Sequence, residues 1–296
     1  MIFFGEKAPI VIMHKFVRPP YGGGNQFLLA LKNEWEAMGY KIGVGKINKH
    51  TKAVLFNSFN FDFKKIKNVD SKKVFRVHRV DGPVGAYRGE EAQEDRDVWS
   101  INHECADATI FQSLYSLKKH EEMGLKFKNP VIIHNAANPR IFYSKTKGPL
   151  PKDRKVRIIA SSWSDNKRKG ADVYQWLDQN LDRNKYEFTF VGRIGVELKN
   201  SRVLPAMGSE ELAQLLRTQD VYITASQNDP CSNALIEALT CGLPALYLNS
   251  GGHPELVGQG GLPFETADEI PKKLEQLVSQ YEKIQSQIQA PQLTDV

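Results

Sequence analysis

Short apolar runs alternate with longer amphipathic ones along nearly the whole chain, and this alternation restricts the fold more than any other feature. PIVIMHKF, KAVLFNSF, KVFRVHRV, DATIFQS and PVIIHNA read as strands in the first half; KVRIIASS, YEFTFVGR, DVYITAS and LPALYLN do so in the second. Helical patterns lie between them, such as NQFLLALKNEWEAMGY, where Phe27, Leu28, Leu31, Trp35 and Met38 recur at helical spacing. Strands alternating with helices imply an α/β fold of parallel sheets wrapped on both faces. Each half holds enough units for one Rossmann-like domain. Residues 138–155, NPRIFYSKTKGPLPKDRK, are rich in Pro, Gly and Lys and lack an apolar period, so the boundary is expected there. The expected layout is an N-terminal domain over 1–145, a C-terminal domain over 146–268, and a terminal helix and tail over 269–296. The helix is predicted from Glu269 to Ile288, with Leu274, Leu277, Val278 and Tyr281 on one stripe and the last eight residues frayed.

Composition excludes several classes. Mean hydropathy is −0.43 and no run of eighteen apolar residues exists, so no membrane-spanning helix is expected. The opening MIFFGEKAPIVIMHK lacks a basic leader before its apolar patch and reads as a first strand. Cys105, Cys231 and Cys241 form no metal-binding spacing, and an odd count fits reduced thiols in a cytoplasm. The net charge of +6 is uneven. Residues 1–147 hold 24 Lys and Arg against 15 Asp and Glu, whereas the remainder holds 16 against 19. A basic face of this kind is either simply solvated or meets an acidic partner or the anionic inner face of a membrane. No helix-turn-helix, zinc or RNP pattern accompanies the charge, which disfavours nucleic acid.

Three stretches could carry chemistry. PPYGGGNQF follows the first strand and opens the first helix. Gly22, Gly23 and Gly24 let the backbone approach a ligand, and the helix N-terminus suits a phosphate. The stretch is neither GxGxxG nor a P-loop, and a flexible loop without a ligand is the alternative. SSWSDNKRKGAD places Lys167, Arg168 and Lys169 after a strand, where parallel sheets bind ligands. A solvated loop is the alternative there. In SQNDPCSNALIEALTCGLPALYLNSGGHPELV, Asp229 lies in a turn, Ser232 or Asn233 can cap a helix, and Ala234, Glu237, Ala238 and Cys241 share a face. A carboxylate among small residues can accept from both hydroxyls of a ribose. An ordinary surface glutamate fits the spacing equally.

This last stretch resembles the signature of the retaining family-four glycosyltransferases of GT-B fold, the glycosyl transferases group 1. The shared pattern is an acid, seven residues and Glu, then a Cys-Gly-x-Pro turn and a later Gly-Gly-x-x-Glu. The glycine loop, Arg168–Gly170 and VIIHNAANPRIF resemble further segments of the family in order. The resemblance implies two Rossmann-like domains facing across a cleft. It also implies a metal-independent, retaining hexosyltransferase of polysaccharide biosynthesis, using a nucleotide-sugar such as a UDP- or GDP-sugar and a glycan or lipid-linked acceptor. By position, Glu237 is the ribose-binding carboxylate and Asp229 faces the donor sugar. Lys169 and the amides near Ser232, Asn233 and Ala234 serve the diphosphate, joined by Gly22, Gly23 and Gly24. The base is expected near Leu204, His78 approaches the donor sugar, and Asp81 lies on the acceptor side. Three departures stand out. Asp229 replaces a usual Glu. The family's arginine falls near Ser162 or Trp163, so Lys167, Arg168 or Arg193 would replace that cation. The chain is also short for the family.

Two other readings compete. A sugar-nucleotide epimerase of similar fold lacks its own signature here. A nucleotide-sugar-binding module without catalysis is motivated by the altered acid and the missing arginine.

Overall fold

The computed structural model describes residues 9–17, 23–58, 62–88, 93–144 and 149–295. It divides into two units, one closing at His134 and the other spanning Asn135–Asp295.

The first unit is built on strands β1 (Ile10–Met13), β2 (Ile42–Val44), β3 (Ala53–Asn57), β4 (Phe75–Val80), β5 (Ala108–Phe111) and β6 (Pro130–Ile132). Its helices are α1 (Gly23–Ala37), α2 (Lys64–Lys67), α3 (Val84–Arg88), α4 (Gln93–Cys105) and α5 (Leu114–Glu122). The strands form one parallel sheet in the order β2-β1-β3-β4-β5-β6. Val11, Met13, Val54 and Phe56 project from one face and pack with Ile66 of α2 and Cys105 of α4. Phe27, Leu31 and Trp35 of α1 line an apolar pocket with Leu55, Val77 and Ile110.

The second unit repeats the logic with β7 (Val156–Ser162), β8 (Tyr186–Gly192), β9 (Arg202–Leu204), β10 (Val221–Thr224), β11 (Ala245–Leu248) and β12 (Gly261–Phe264). Its helices are α6 (Ala171–Asn180), α7 (Ser209–Leu216), α8 (Asn233–Thr240), α9 (His253–Val257), α10 (Ile270–Ser279) and α11 (Tyr281–Ser286). The order β12-β11-β10-β7-β8-β9 is wholly parallel. Counted within the unit it is 6-5-4-1-2-3, the doubly wound Rossmann order, whose direction reverses between β7 and β10. The alternation of strand side chains separates the two core layers. Ile158, Phe188, Phe190, Ile223 and Leu246 face α6 and α10, while Ile159, Val191, Tyr222 and Ala245 face α7 and α8.

Two terminal expectations are corrected. The helix predicted over 269–288 is two helices, because Gln280 leaves the helical region at φ −115 and ψ 20. The break lets Tyr281 turn inward, where its hydroxyl donates to the Asp220 carbonyl at 3.0 Å. Nor is the tail wholly frayed: Leu293–Asp295 forms a 3₁₀ turn with Leu293 buried. No helix among the described residues is long and apolar enough to cross a membrane.

Candidate functional site

In a doubly wound sheet the loops leaving the two central strands diverge to helices on opposite faces, opening a crevice at the carboxyl edge. Here β7 feeds α6 on one face and β10 feeds α8 on the other. Between β7 and α6 runs a 3₁₀ turn, Lys167–Lys169, started by the Asn166 side chain accepting from the Arg168 amide. Gly170 ends it at φ +83, and a Cβ there would lie 2.4 Å from the Ala225 Cβ. Only glycine lets the turn seat so closely on the chain leaving β10.

That seating brings Lys169 to Asp229. The lysine Nζ donates to Oδ2 at 2.7 Å, and Oδ1 accepts from the Cys231 amide at 3.2 Å. Asp229 is 8% exposed. Burial pushes its carboxyl up, but the Lys169 charge, His253 and the hydrogen bonds together hold it below its usual value. The loop after β11 is stitched to the same residue. The Gly252 amide donates to the Asp229 carbonyl at 2.8 Å, and the Asn228 amide donates to Ser250 Oγ at 2.9 Å. Gly251 has φ +65, and a Cβ on it would meet the Asp229 carbonyl oxygen at 2.2 Å.

Ser232 is the N-cap of α8, accepting from the Leu235 amide through Oγ, and its carbonyl takes the Ile236 amide. Among the described residues the first-turn amides of Asn233 and Ala234 have no acceptor, so they are open donors at the positive end of the helix. The Asn233 side chain is fixed by Asn135, whose Nδ2 donates to Oδ1 at 2.8 Å. One turn on, Glu237 is half-buried. Loss of water pushes its carboxyl up to about 8, and no hydrogen bond reaches that group among the described residues. The helix face shared by Ala234, Glu237, Ala238 and Cys241 is only partly open. Ala238 and Cys241 are fully buried, while Ala234 and Glu237 keep some exposure.

Lys169 and Arg193 line a small cleft with Ser162, Asn166 and Phe190. Arg193 is held there by its amide, which donates to the Ser162 carbonyl at 2.8 Å. Leu204 sits at the end of β9, paired with Val191 and partly buried. In this unit the structure therefore gathers Lys169, Arg193, Asp229, Ser232, Asn233, Ala234 and Glu237 along one sheet edge. His253 was missed by the sequence reading, although it occupies the third position of the Gly-Gly-x-x-Glu pattern. Its ring is fully buried, Nδ1–H donates to the Leu248 carbonyl at 3.0 Å, and Nε2 has no partner among the described residues.

The first unit places its candidates differently. Gly22 lies outside the described residues. Gly23 and Gly24 form the first turn of α1, and Gly24 faces Asn57 at the end of β3. The Asn25 side chain ties this turn to the chain leaving β1, pairing with both the amide and the carbonyl of Val17 at 3.0 Å. Asp81 follows β4 and is held by Arg79 at 3.3 Å and by the Gln112 amide. His78 does not reach the surface. Its ring stacks on Phe56 at 4.5 Å, its nitrogens bond Ser58 and Asn102 at 3.2 Å, and it has no exposed area. Burial and the neighbouring His120 hold its pKa down to about 3. Direct contact with a sugar is closed to it in this arrangement.

Residues 150–292 match the family model described as glycosyl transferases group 1. Among solved structures, sucrose-phosphate synthase from Thermosynechococcus elongatus superposes with a TM-score of 0.69, 14% identity and 95% of each chain covered. Alr3699/HepE of Anabaena, solved in complex with UDP-glucose, gives 0.70 and 15% identity over 97% of this chain and 96% of that one. A curated relative, Uncharacterized protein 356 of Sulfolobus islandicus rod-shaped virus 1, is 22% identical over 164 residues. That match takes in 49% of this chain and 45% of the viral protein, so the chain spans less than half the length of that relative. The two six-stranded parallel sheets are those of the GT-B glycosyltransferases. The second unit carries the group 1 match, so the resemblance read from the sequence stands.

Proposed function

We propose that this protein is a retaining glycosyltransferase that takes a sugar from a nucleotide-sugar bound at the carboxyl edge of the second unit. The observation that carries the reading is Glu237, a carboxyl without a hydrogen-bond partner among the described residues, on the helix whose N-terminus holds open amides. A ribose diol supplies two donors to such a carboxylate and offsets its lost hydration. The diphosphate would lie at the Asn233 and Ala234 amides with Lys169 and Arg193 nearby. The donor sugar would then face Asp229. Charge growing on the leaving diphosphate is stabilised by dipoles and a cation already in place. As the family resemblance implies, the diphosphate itself helps to deprotonate the acceptor hydroxyl on the face it leaves, so configuration is retained. UDP-glucose bound to HepE supports a nucleotide-sugar donor. A thermal-shift series with UDP, GDP and ADP tests the reading. A ligand at 100 times its Kd adds about 2.7 kcal/mol of stability, and no response to any of the three would overturn it.

For the acceptor we propose a glycan or lipid-linked hydroxyl compound taken by the first unit, with Asp81 on its path. In the chain, exposed Lys64 and Lys65 adjoin Phe63 and exposed Lys72 precedes Phe75, and the two rings are 36% and 54% exposed. This grouping supports peripheral contact with an anionic membrane. Sedimentation with anionic vesicles at low and high salt checks it, and binding indifferent to salt would refute it.

A further inference from the structure

A buried carboxylate whose ion-paired cation is wanted elsewhere needs a second one, because an isolated ion in a protein interior is costly. Asp229 is in that position. Lys169 is its ion-pair partner at 2.7 Å, and the same lysine is assigned above to the diphosphate. The charges of His253 and Asp229 act on one another, and the histidine follows directly on the segment bonded to the acid's backbone. Gly251 and Gly252 are pressed onto the Asp229 backbone, and the chain turns directly from them into the histidine. The imidazole has a fixed tautomer: Nδ1–H is committed to the Leu248 carbonyl, so Nε2 carries the lone pair, buried and without a partner among the described residues. We propose that His253 is a positioning residue for Asp229, becoming its counter-cation when Lys169 turns to an anionic ligand.

The step is a single protonation. Nε2 takes a proton from solvent, Nδ1–H stays on Leu248, and the charge of the imidazolium takes over from that of the ammonium in balancing the carboxylate. Asp229 keeps its charge and its bond from the Cys231 amide while the lysine is engaged. The groups that bear on His253 come from three elements. Asp229 comes from the loop after β10, Lys169 from the turn after β7, and Leu248 and the edge-on Tyr247 ring from β11. Burial disfavours the imidazolium most, Asp229 and the Leu248 bond favour it, and Lys169 opposes it. Withdrawing Lys169 therefore removes an opposing charge and leaves the favouring ones.

The inference rests on the donor reading for its ligand but not for its test. Histidine side-chain NMR, with the His253 signal assigned by its loss in His253→Gln, follows the titration in the ligand-free protein. Lys169→Met should raise the proton affinity of His253 by about tenfold, the worth of one pKa unit. Lys169→Gln serves if the methionine variant does not fold. Adding Asp229→Asn to either should abolish the rise. An unmoved midpoint in the lysine variants, or a rise that persists without the carboxylate, overturns the proposal. UDP should move the wild-type midpoint in the same direction. UDP that binds without moving it also overturns the proposal. Failure of UDP, GDP and ADP alike to bind condemns the donor reading instead, leaving the variants to judge the three-residue coupling.

Discussion

Lys169 and Asp229 lie 60 positions apart in the chain and 2.7 Å apart in space, joined across the point where the strand order of the second sheet reverses. Each belongs to a loop that leaves a central strand, and Gly170 sets the distance between those loops. In the proposed donor site, replacing the lysine would remove a charged hydrogen bond to the diphosphate. Lys169→Ala should weaken nucleoside diphosphate binding by about 1.5–3 kcal/mol, measured by calorimetry. Asp229→Asn should instead lower turnover with a smaller effect on binding, read as a fall in kcat at nearly constant KM.

The pH dependence of Asp229 stability follows from the same pair. Its folded-state pKa is depressed, so its contribution is present above the unfolded carboxylate value of about 3.9 and is lost as pH falls through the folded value. Lys169→Ala should shrink the stability lost on acidification below pH 4. Urea unfolding at pH 3 and pH 6 checks this, and an identical pH response in variant and wild type would contradict it.

Glu237 has the opposite sign. Its folded pKa, pushed up to about 8, lies above the unfolded value. Stability is therefore full below the unfolded value of about 4.3 and falls as pH rises toward 8. Glu237→Gln removes that loss and should stabilise the ligand-free protein by about 1–3 kcal/mol at pH 7.5, with little effect at pH 4.5. The same change should weaken donor binding. A glutamine variant less stable at pH 7.5, yet with unaltered donor affinity, would refute the ligand role.

The alternation of strands and helices made the doubly wound architecture legible in the sequence, but three strands were not. Ile42–Val44, Arg202–Leu204 and Gly261–Phe264 each lie at an edge of their sheet. Edge strands this short, with partly exposed residues, need no long apolar run, so IGV, RVL and GLPF carry no period to detect. At the candidate site, the pattern of Asp229 and Glu237 was readable because it is local in the chain, a turn acid followed at once by the short helix that carries the glutamate. The isolation of the Glu237 carboxyl was not, since it depends on what packs around the helix. His78 and His253 make the same point. Nothing local in FRVHRV or GGHPEL states that both rings are fully buried, because tertiary packing decides that.

Charge on the leaving diphosphate is met in the proposed site by Lys169 and helix amides. Activity should accordingly survive EDTA. Complete loss in EDTA, restored by Mn²⁺, would show that a divalent cation supplies that charge.

The stereochemistry of the product bears directly on the mechanism. Proton NMR should show the anomeric configuration of the donor preserved in the product. Inversion would rule out same-face attack assisted by the diphosphate.

The closeness of Gly251 to the Asp229 backbone also bears on laboratory evolution of this protein. Any side chain at 251 must displace the main chain that carries the acid, so a library varied there will lose function before it gains a new preference. Position 253 is different, because its backbone lies in α9 rather than in a left-handed turn. A change there spares the main chain of the acid but removes the imidazole proposed to balance its charge, so a search for altered sugar preference should vary Lys167 and Arg168 and leave Gly251, His253 and Lys169 fixed.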